Sequence, residues 1–346
     1  MKRFFGLVMG LAMVLILGGC GNSSKTRTLY LYSWADYFAE DLIKEFEEIH
    51  HCRIVYDTFD SNEELIAKLQ AGATGYDVIV PSHYVVDLLA NNGKLEKLDD
   101  SQLTCRKHFD PDVVAQMQAS ILEYSVPFAM SYTGIGYNKE KVKNFEPTWK
   151  MFERKDLQRR ATLLDDKREV IGAALAYLKL DLNSYNPVDL ELAKALILTW
   201  TKNVSKFENE QYKNGIASDE FYLVMGYSGD MYQVIDENPK IGFAVPKEGA
   251  LMCCDMLAIP TGSKNKDLAY AFLNFIHEPK NAALNTQEVF YLCPNKDSYE
   301  LLPESIRKNS AVFIDPKVLK KCSFTKDLGE NEANLNKIWA DIKAKQ

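Results

Sequence analysis

Met252-Cys-Cys-Asp-Met-Leu-Ala-Ile-Pro260 is the stretch on which the architecture of this chain turns. It is apolar, extended in character and closed by a proline, so it reads as a strand, yet an acid stands in its middle. An unpaired buried carboxylate is costly and ordinarily protonates or is avoided. Asp255 therefore asks for a cationic partner, and the strand is expected to cross between two lobes with Asp255 in the cleft, facing a ligand amine. The plainer alternative is an acid at a strand end open to water.

Working outward, a second crossing is expected at Ser125-Val-Pro-Phe-Ala-Met-Ser-Tyr-Thr-Gly-Ile-Gly-Tyr-Asn138, a long extended run without helical period. Upstream of it, strands at 29–32, 53–58 and 77–80 alternate with helices at 38–49, after 61, and after 82. That order implies a parallel sheet with right-handed crossovers, whose ligand site lies beyond the carboxyl ends of the strands, at 33–37 and 81–84. Between the crossings a second α/β set is expected, with strands at 161–164, 204–207, 222–227 and 241–245 and helices at 169–180, 187–201 and from Gly229. Helices at 266–277 and 279–286 return to the first lobe. Helices near Glu304 and at 331–345 are assigned to the second. The expected division is 28–130 plus 254–299 for one lobe and 131–253 plus 300–346 for the other. Two lobes on extended crossings can close on a ligand and expel its water.

The N-terminus carries Lys2-Arg3, an apolar run too short to span a bilayer, then Leu17-Gly18-Gly19-Cys20 and a polar linker. This is expected to be a signal peptide over 1–19 and a lipidated linker over 20–27. Leu-Gly-Gly-Cys resembles the bacterial lipobox, which implies that Cys20 takes the lipid and tethers an exported protein to the membrane, on the periplasmic side. The net charge of −7 argues against a nucleic-acid partner and is mildly hospitable to a cationic ligand. Apart from Cys20, cysteines at 52, 105, 253, 254, 293 and 322 form neither a dense disulfide framework nor a repeated metal pattern. Adjacent Cys253 and Cys254 read as packed strand residues facing opposite sides.

Catalytic motifs are missing. The sequence has no phosphate loop, no His-Glu-x-x-His and no Gly-x-Ser-x-Gly, and Gly134-Ile-Gly136 lacks the third glycine of a dinucleotide site. The five histidines, at 50, 51, 83, 108 and 277, are scattered, and for His83 a surface or turn role is favoured over the cleft. No cofactor or metal is called for. Aromatics beside acids do recur at strand ends: Trp34-Ala-Asp-Tyr37, Ser82-His-Tyr84, Asp165-Asp-Lys-Arg-Glu169 and Tyr227. Taken singly each has an ordinary use as core, rim or helix cap. Together they describe separated anions with ring faces between them, suited to a long cation bearing several amines. Lys167 and Arg168 cut against this, because they can neutralise the acids internally.

At these residues the chain resembles the periplasmic spermidine/putrescine-binding proteins of polyamine ABC transporters. The resemblance rests on 31–37, 76–82, 163–170, 245–249 and 255–260, and the segment with Asp166 and Glu169 is the more specific one. It implies a two-lobed periplasmic binding protein fold with two α/β domains on a two-strand hinge, no chemistry, and delivery of putrescine or spermidine to permease subunits. By the same resemblance Trp34 and Tyr37 form a wall, Ser82 and Tyr84 give polar contacts, Asp166 and Glu169 hold ammonium groups, and Asp255 fixes the opposite end. Tyr291 falls where the family has a ligand-bonding tyrosine. Tyr227 and Cys253 stand where tryptophans are common, and Thr325 where glutamine is expected. The alternatives are a ferric-iron binder using Tyr84, Tyr227 and Tyr291, a glycosidase with Asp166 and Asp255 as its acid pair, and a polyamine-sensing receptor.

Overall fold

The computed structural model describes residues 26–309 and 312–345; the expected signal segment and Cys20 lie outside the described residues. The strands run β1 Arg27–Ser33, β2 Cys52–Thr58, β3 Val78–Ile79, β4 Ser125–Asn138, β5 Ala161–Leu163, β6 Val204–Phe207, β7 Leu223–Tyr227, β8 Ile241–Ala244, β9 Leu251–Ala258 and β10 Ser323–Phe324. β1 pairs in parallel with β2 and with β3. Amphipathic helices make those crossovers. Helix Glu40–His50 buries Leu42 and Phe46, and helix Asn62–Gln70 starts where the Ser61 side chain accepts the Glu64 N–H.

β4 belongs to both lobes, and β9 pairs with its first-lobe half. The first half of β4 pairs antiparallel with β9, from Ser125 opposite Ala258 to Tyr132 opposite Met252. Its second half, from Thr133, pairs with β7 and β8 in the other lobe. One sheet path, β2-β1-β3-β9-β4-β7-β5-β6, therefore runs through the whole molecule. The lobes share backbone at the seam between Tyr132 and Thr133, and that seam forms the floor of the cleft.

Each lobe has its own core. Ile135, Trp149, Leu163, Trp200, Tyr212 and Met225 pack in one cluster, which the C-terminal helix Glu332–Lys343 joins through Leu335, Ile338 and Ile342. Leu29, Phe38, Phe46, Phe128, Leu257 and Phe272 pack in the other lobe. A third cluster, around Tyr32, Ile79, Met130 and Met256, fills the opposite face of the same first-lobe sheet. Leu302, Ile306, Val312 and Ile314 belong to this third cluster, so the segment expected with the second lobe from residue 300 packs against the first. Cys322 and Phe324 still touch it, and Leu328 is the first buried side chain of the second-lobe core thereafter. The chain thus makes a third passage between lobes near β10, which adds to β9 in parallel. No helix among the described residues is long and apolar enough to cross a membrane.

Candidate functional site

The turn after β1 supplies one wall of the cleft. Asp36 takes a left-handed conformation, φ 54°, which an aspartate tolerates better than a branched residue. The turn carries Trp34 and Tyr37. Trp34 packs on Phe59 with ring centroids 4.5 Å apart, and Tyr37 lies 4.8 Å from the Tyr291 ring. Asn285 pins the turn, accepting from Ala39 N–H at 2.9 Å and donating to the Tyr37 carbonyl at 3.2 Å. Tyr291 reaches the same wall because helix Pro279–Val289 ends at a left-handed Phe290, φ 59°, whose N–H returns to the Thr286 carbonyl at 2.9 Å.

Asp255 stands on β9 at the centre of this wall and is only 4% exposed. The Tyr37 and Ser82 hydroxyls each donate to it at 2.6 Å, and the Cys253 thiol lies 3.8 Å away. Burial pushes its carboxyl up to about 6, with the hydroxyl donors pulling the other way. Asn62 orders the neighbours: its amide donates to Ser82 Oγ at 2.9 Å and to the Tyr84 oxygen at 3.0 Å, while its carbonyl accepts the Ser82 N–H at 3.2 Å.

The opposite wall is the start of helix Lys167–Tyr177. Asp166 is the N-cap, accepting from the N–H groups of Arg168 at 2.8 Å and Glu169 at 3.2 Å, while its other oxygen lies 3.3 Å from the Tyr227 hydroxyl. Glu169, 6% exposed, accepts from Thr133 Oγ1 at 2.5 Å. Burial first, then the Asp166 charge, raises the Glu169 carboxyl to about 8, and burial also raises Asp166. Lys167 attracts the Asp166 charge and Arg168 the Glu169 charge, but neither forms an ion pair with these acids. Lys167 bridges Glu63 at 2.8 Å and Glu332 at 3.3 Å, and the Arg168 guanidinium turns to the Lys326 carbonyl, Asn183 and Glu332. Among the described residues, no lysine, arginine or histidine side-chain nitrogen is within ion-pair distance of Asp166, Glu169 or Asp255.

His83 is buried rather than on the surface, and burial lowers it to about 4, so it is a neutral imidazole. Its Nε2 donates to the Thr325 carbonyl at 2.7 Å, which leaves Nδ1 to accept from the Cys254 N–H at 3.4 Å and beside Cys253 Sγ at 3.5 Å. Thr325 itself is buried, and its Oγ1 and the Trp34 Nε1 are among the buried side-chain atoms without a hydrogen-bond partner. All six described cysteines are free thiols, including the adjacent pair at 253 and 254.

Tyr84, Tyr227 and Cys253 are partly exposed beside these groups. Sequence reasoning missed four further residues, Asn62, Thr133, Asn285 and Asp230, the first three of which had no signal beyond ordinary polar composition. Asp230 accepts from Tyr291 across the cleft at 2.8 Å and from Tyr212 at 2.5 Å. An Asp three positions after Tyr227, on the first turn of the following helix, was the available hint.

A cleft floored by a strand that both lobes share, walled by rings and holding buried acids without paired internal cations is a site for a solute. The chain belongs to the bacterial extracellular solute-binding protein family, whose model matches residues 41–314. Among its relatives, the putrescine/cadaverine-binding protein of Pseudomonas aeruginosa is 33% identical over 96% of this chain and 98% of its own. The putrescine-binding periplasmic protein PotF of Escherichia coli is 32% identical over 99% and 98%. The Tp0655 (TpPotD) lipoprotein of Treponema pallidum superposes with a TM-score of 0.83 at 32% identity, covering 91% of this chain and 99% of that one.

Proposed function

We propose that this protein is the capture component of a polyamine importer, holding putrescine or spermidine in the interlobe cleft and delivering it to ABC permease subunits. The observation that carries the reading is the set of buried acids, Asp255 on one wall and Asp166 with Glu169 on the other, that have hydroxyl and amide donors but no paired internal cation. A linear polyamine supplies ammonium groups at both walls and methylenes between the Trp34, Tyr37, Tyr84 and Tyr227 rings, where cation–π attraction adds about 0.5–2 kcal/mol. The relatives named for polyamine binding support the same substrate class. The iron alternative is less well supported, because Tyr227 and Tyr291 donate to separate carboxylates instead of converging as phenolates.

The division into lobes, the ligand contacts and lipid attachment at Cys20 belong to this proposal. Titration calorimetry of ligand-stripped protein with putrescine, cadaverine, spermidine and spermine tests the substrate class; saturable binding of at least one is expected, and none by any would refute it. A Cys20→Ala chain should remain unlipidated and leave the detergent phase, whereas continued partitioning into detergent would count against the tether.

A further inference from the structure

Asp166 and Glu169 are separated by one helical turn at the start of the same helix, and their environments differ in one respect. Asp166 accepts two backbone N–H groups, an arrangement that favours a charged carboxylate. Glu169 has a single hydroxyl donor, Thr133, and faces the Asp166 charge from within the protein. Two carboxylates in one buried site do not both ionise readily without a cation.

Among the described residues no side-chain cation forms an ion pair with either acid, although Lys167 attracts the Asp166 charge from beyond that distance while bridging Glu63 and Glu332. β4 presents the Thr133 hydroxyl, β7 the Tyr227 phenol and β9 the Cys253 thiol. From helix His83–Asn91 comes the Tyr84 phenol, and from helix Asn62–Gln70 the Glu63 carboxylate, already bridged to Lys167. Arg168, on their own helix, exerts only a distant attraction because its guanidinium is engaged by Asn183, Lys326 and Glu332.

We propose, resting on the polyamine reading, that capture is coupled to proton release: the empty cleft holds one proton on the Asp166–Glu169 pair, and an arriving ammonium group takes its place. The O–H bond of the Glu169 carboxyl breaks, its proton leaves to solvent, and the carboxylate accepts an N–H of the ligand, which keeps its own charge. With the lobes together and no ligand between the walls, burial and then the Asp166 charge raise Glu169 to about 8, which puts this exchange in the neutral range. Loading is therefore favoured as pH rises toward that value and is opposed in acid, where Asp255, raised to about 6, begins to take up a second proton.

The test is calorimetry of the full-length protein with putrescine at pH 7 in phosphate and in Tris, buffers of low and high ionisation enthalpy. The expected result is a buffer-dependent heat corresponding to release of about one proton per ligand, with affinity rising about tenfold per pH unit between 6 and 7.5. Glu169→Gln should bind more weakly, with nearly the same heat in both buffers and an affinity that rises only about twofold over that range, through Asp255. Saturable wild-type binding with identical heats in the two buffers would overturn the proton exchange and leave the polyamine reading standing. No saturable binding of any polyamine would overturn both. Should Glu169→Gln fail to fold, the wild-type buffer and pH dependence decide alone.

Discussion

Asp255 receives two short hydroxyl hydrogen bonds that orient both its oxygens, and a protein that only needed to bury this position had aliphatic residues available at no such cost. Asp255→Asn keeps the volume but removes the charge that an ammonium would meet. It is expected to weaken polyamine binding by about 1–3 kcal/mol, read by calorimetry, with unchanged affinity as the contrary result. Glu169 gives a prediction on stability. Its folded-state carboxyl is raised to about 8 against an ordinary value near 4, so between those values the folded protein holds more protons than the unfolded chain. Stability of the empty protein should therefore fall as pH rises through that window. Glu169→Gln should recover about 1–3 kcal/mol at pH 8 and little at pH 5, measured by urea denaturation without ligand. An acid in an apolar strand is conspicuous in a sequence, which is why Asp255 was legible. Asn62 and Thr133 were not, since a polar residue at a helix start or in a strand has many ordinary uses, and only the folded chain brings them to Ser82 and Glu169.

At the scale of elements, helix Ser228–Glu237 meets the first lobe at Gly229, where an added Cβ would lie 2.3 Å from the Tyr291 ring. Gly229→Ala should therefore hold the lobes apart at that point. The expected outcome is about tenfold or greater loss of polyamine affinity with the unfolding temperature of the ligand-free protein little changed; equal affinity would show that the contact is dispensable. The crossing strands were readable because fourteen extended residues from Ser125 to Asn138 admit no helical period. Helix Tyr212–Ala217 was not anticipated: it is one and a half turns long and contains Gly215, a poor helix former, against which Phe221 packs. The end of helix Pro279–Val289 also ran past its expected limit, because the terminator is a left-handed phenylalanine instead of a glycine.

Across the whole molecule, the two lobes meet through Lys167 with Glu63 at 2.8 Å, Lys213 with Asp36 at 3.7 Å, Tyr291 with Asp230 at 2.8 Å and Gln233 with the Val289 carbonyl at 3.3 Å. Such contacts form only when the jaws are together. The two ion pairs are partly solvent-exposed, so Lys167→Ala combined with Lys213→Ala should cost closure about 0.2–1 kcal/mol per pair, more at low salt than at high salt. Affinity measured across a salt series checks this, and a loss independent of salt would point to packing instead. The two-lobed plan was legible from alternating strands and helices, whereas the placement of 300–314 was not. Short apolar pairs such as Leu302 and Ile306 carry no pattern that says which of two cores will receive them.

If the cleft acids hold a multivalent amine, a crystal structure of the protein grown with putrescine or spermidine will show it. One ligand nitrogen is expected about 2.7–3.2 Å from an Asp255 oxygen and another at similar distance from Asp166 or Glu169, with the methylenes against Trp34 and Tyr37. A polyamine bound elsewhere, with Asp255 still held only by Tyr37 and Ser82, would contradict it.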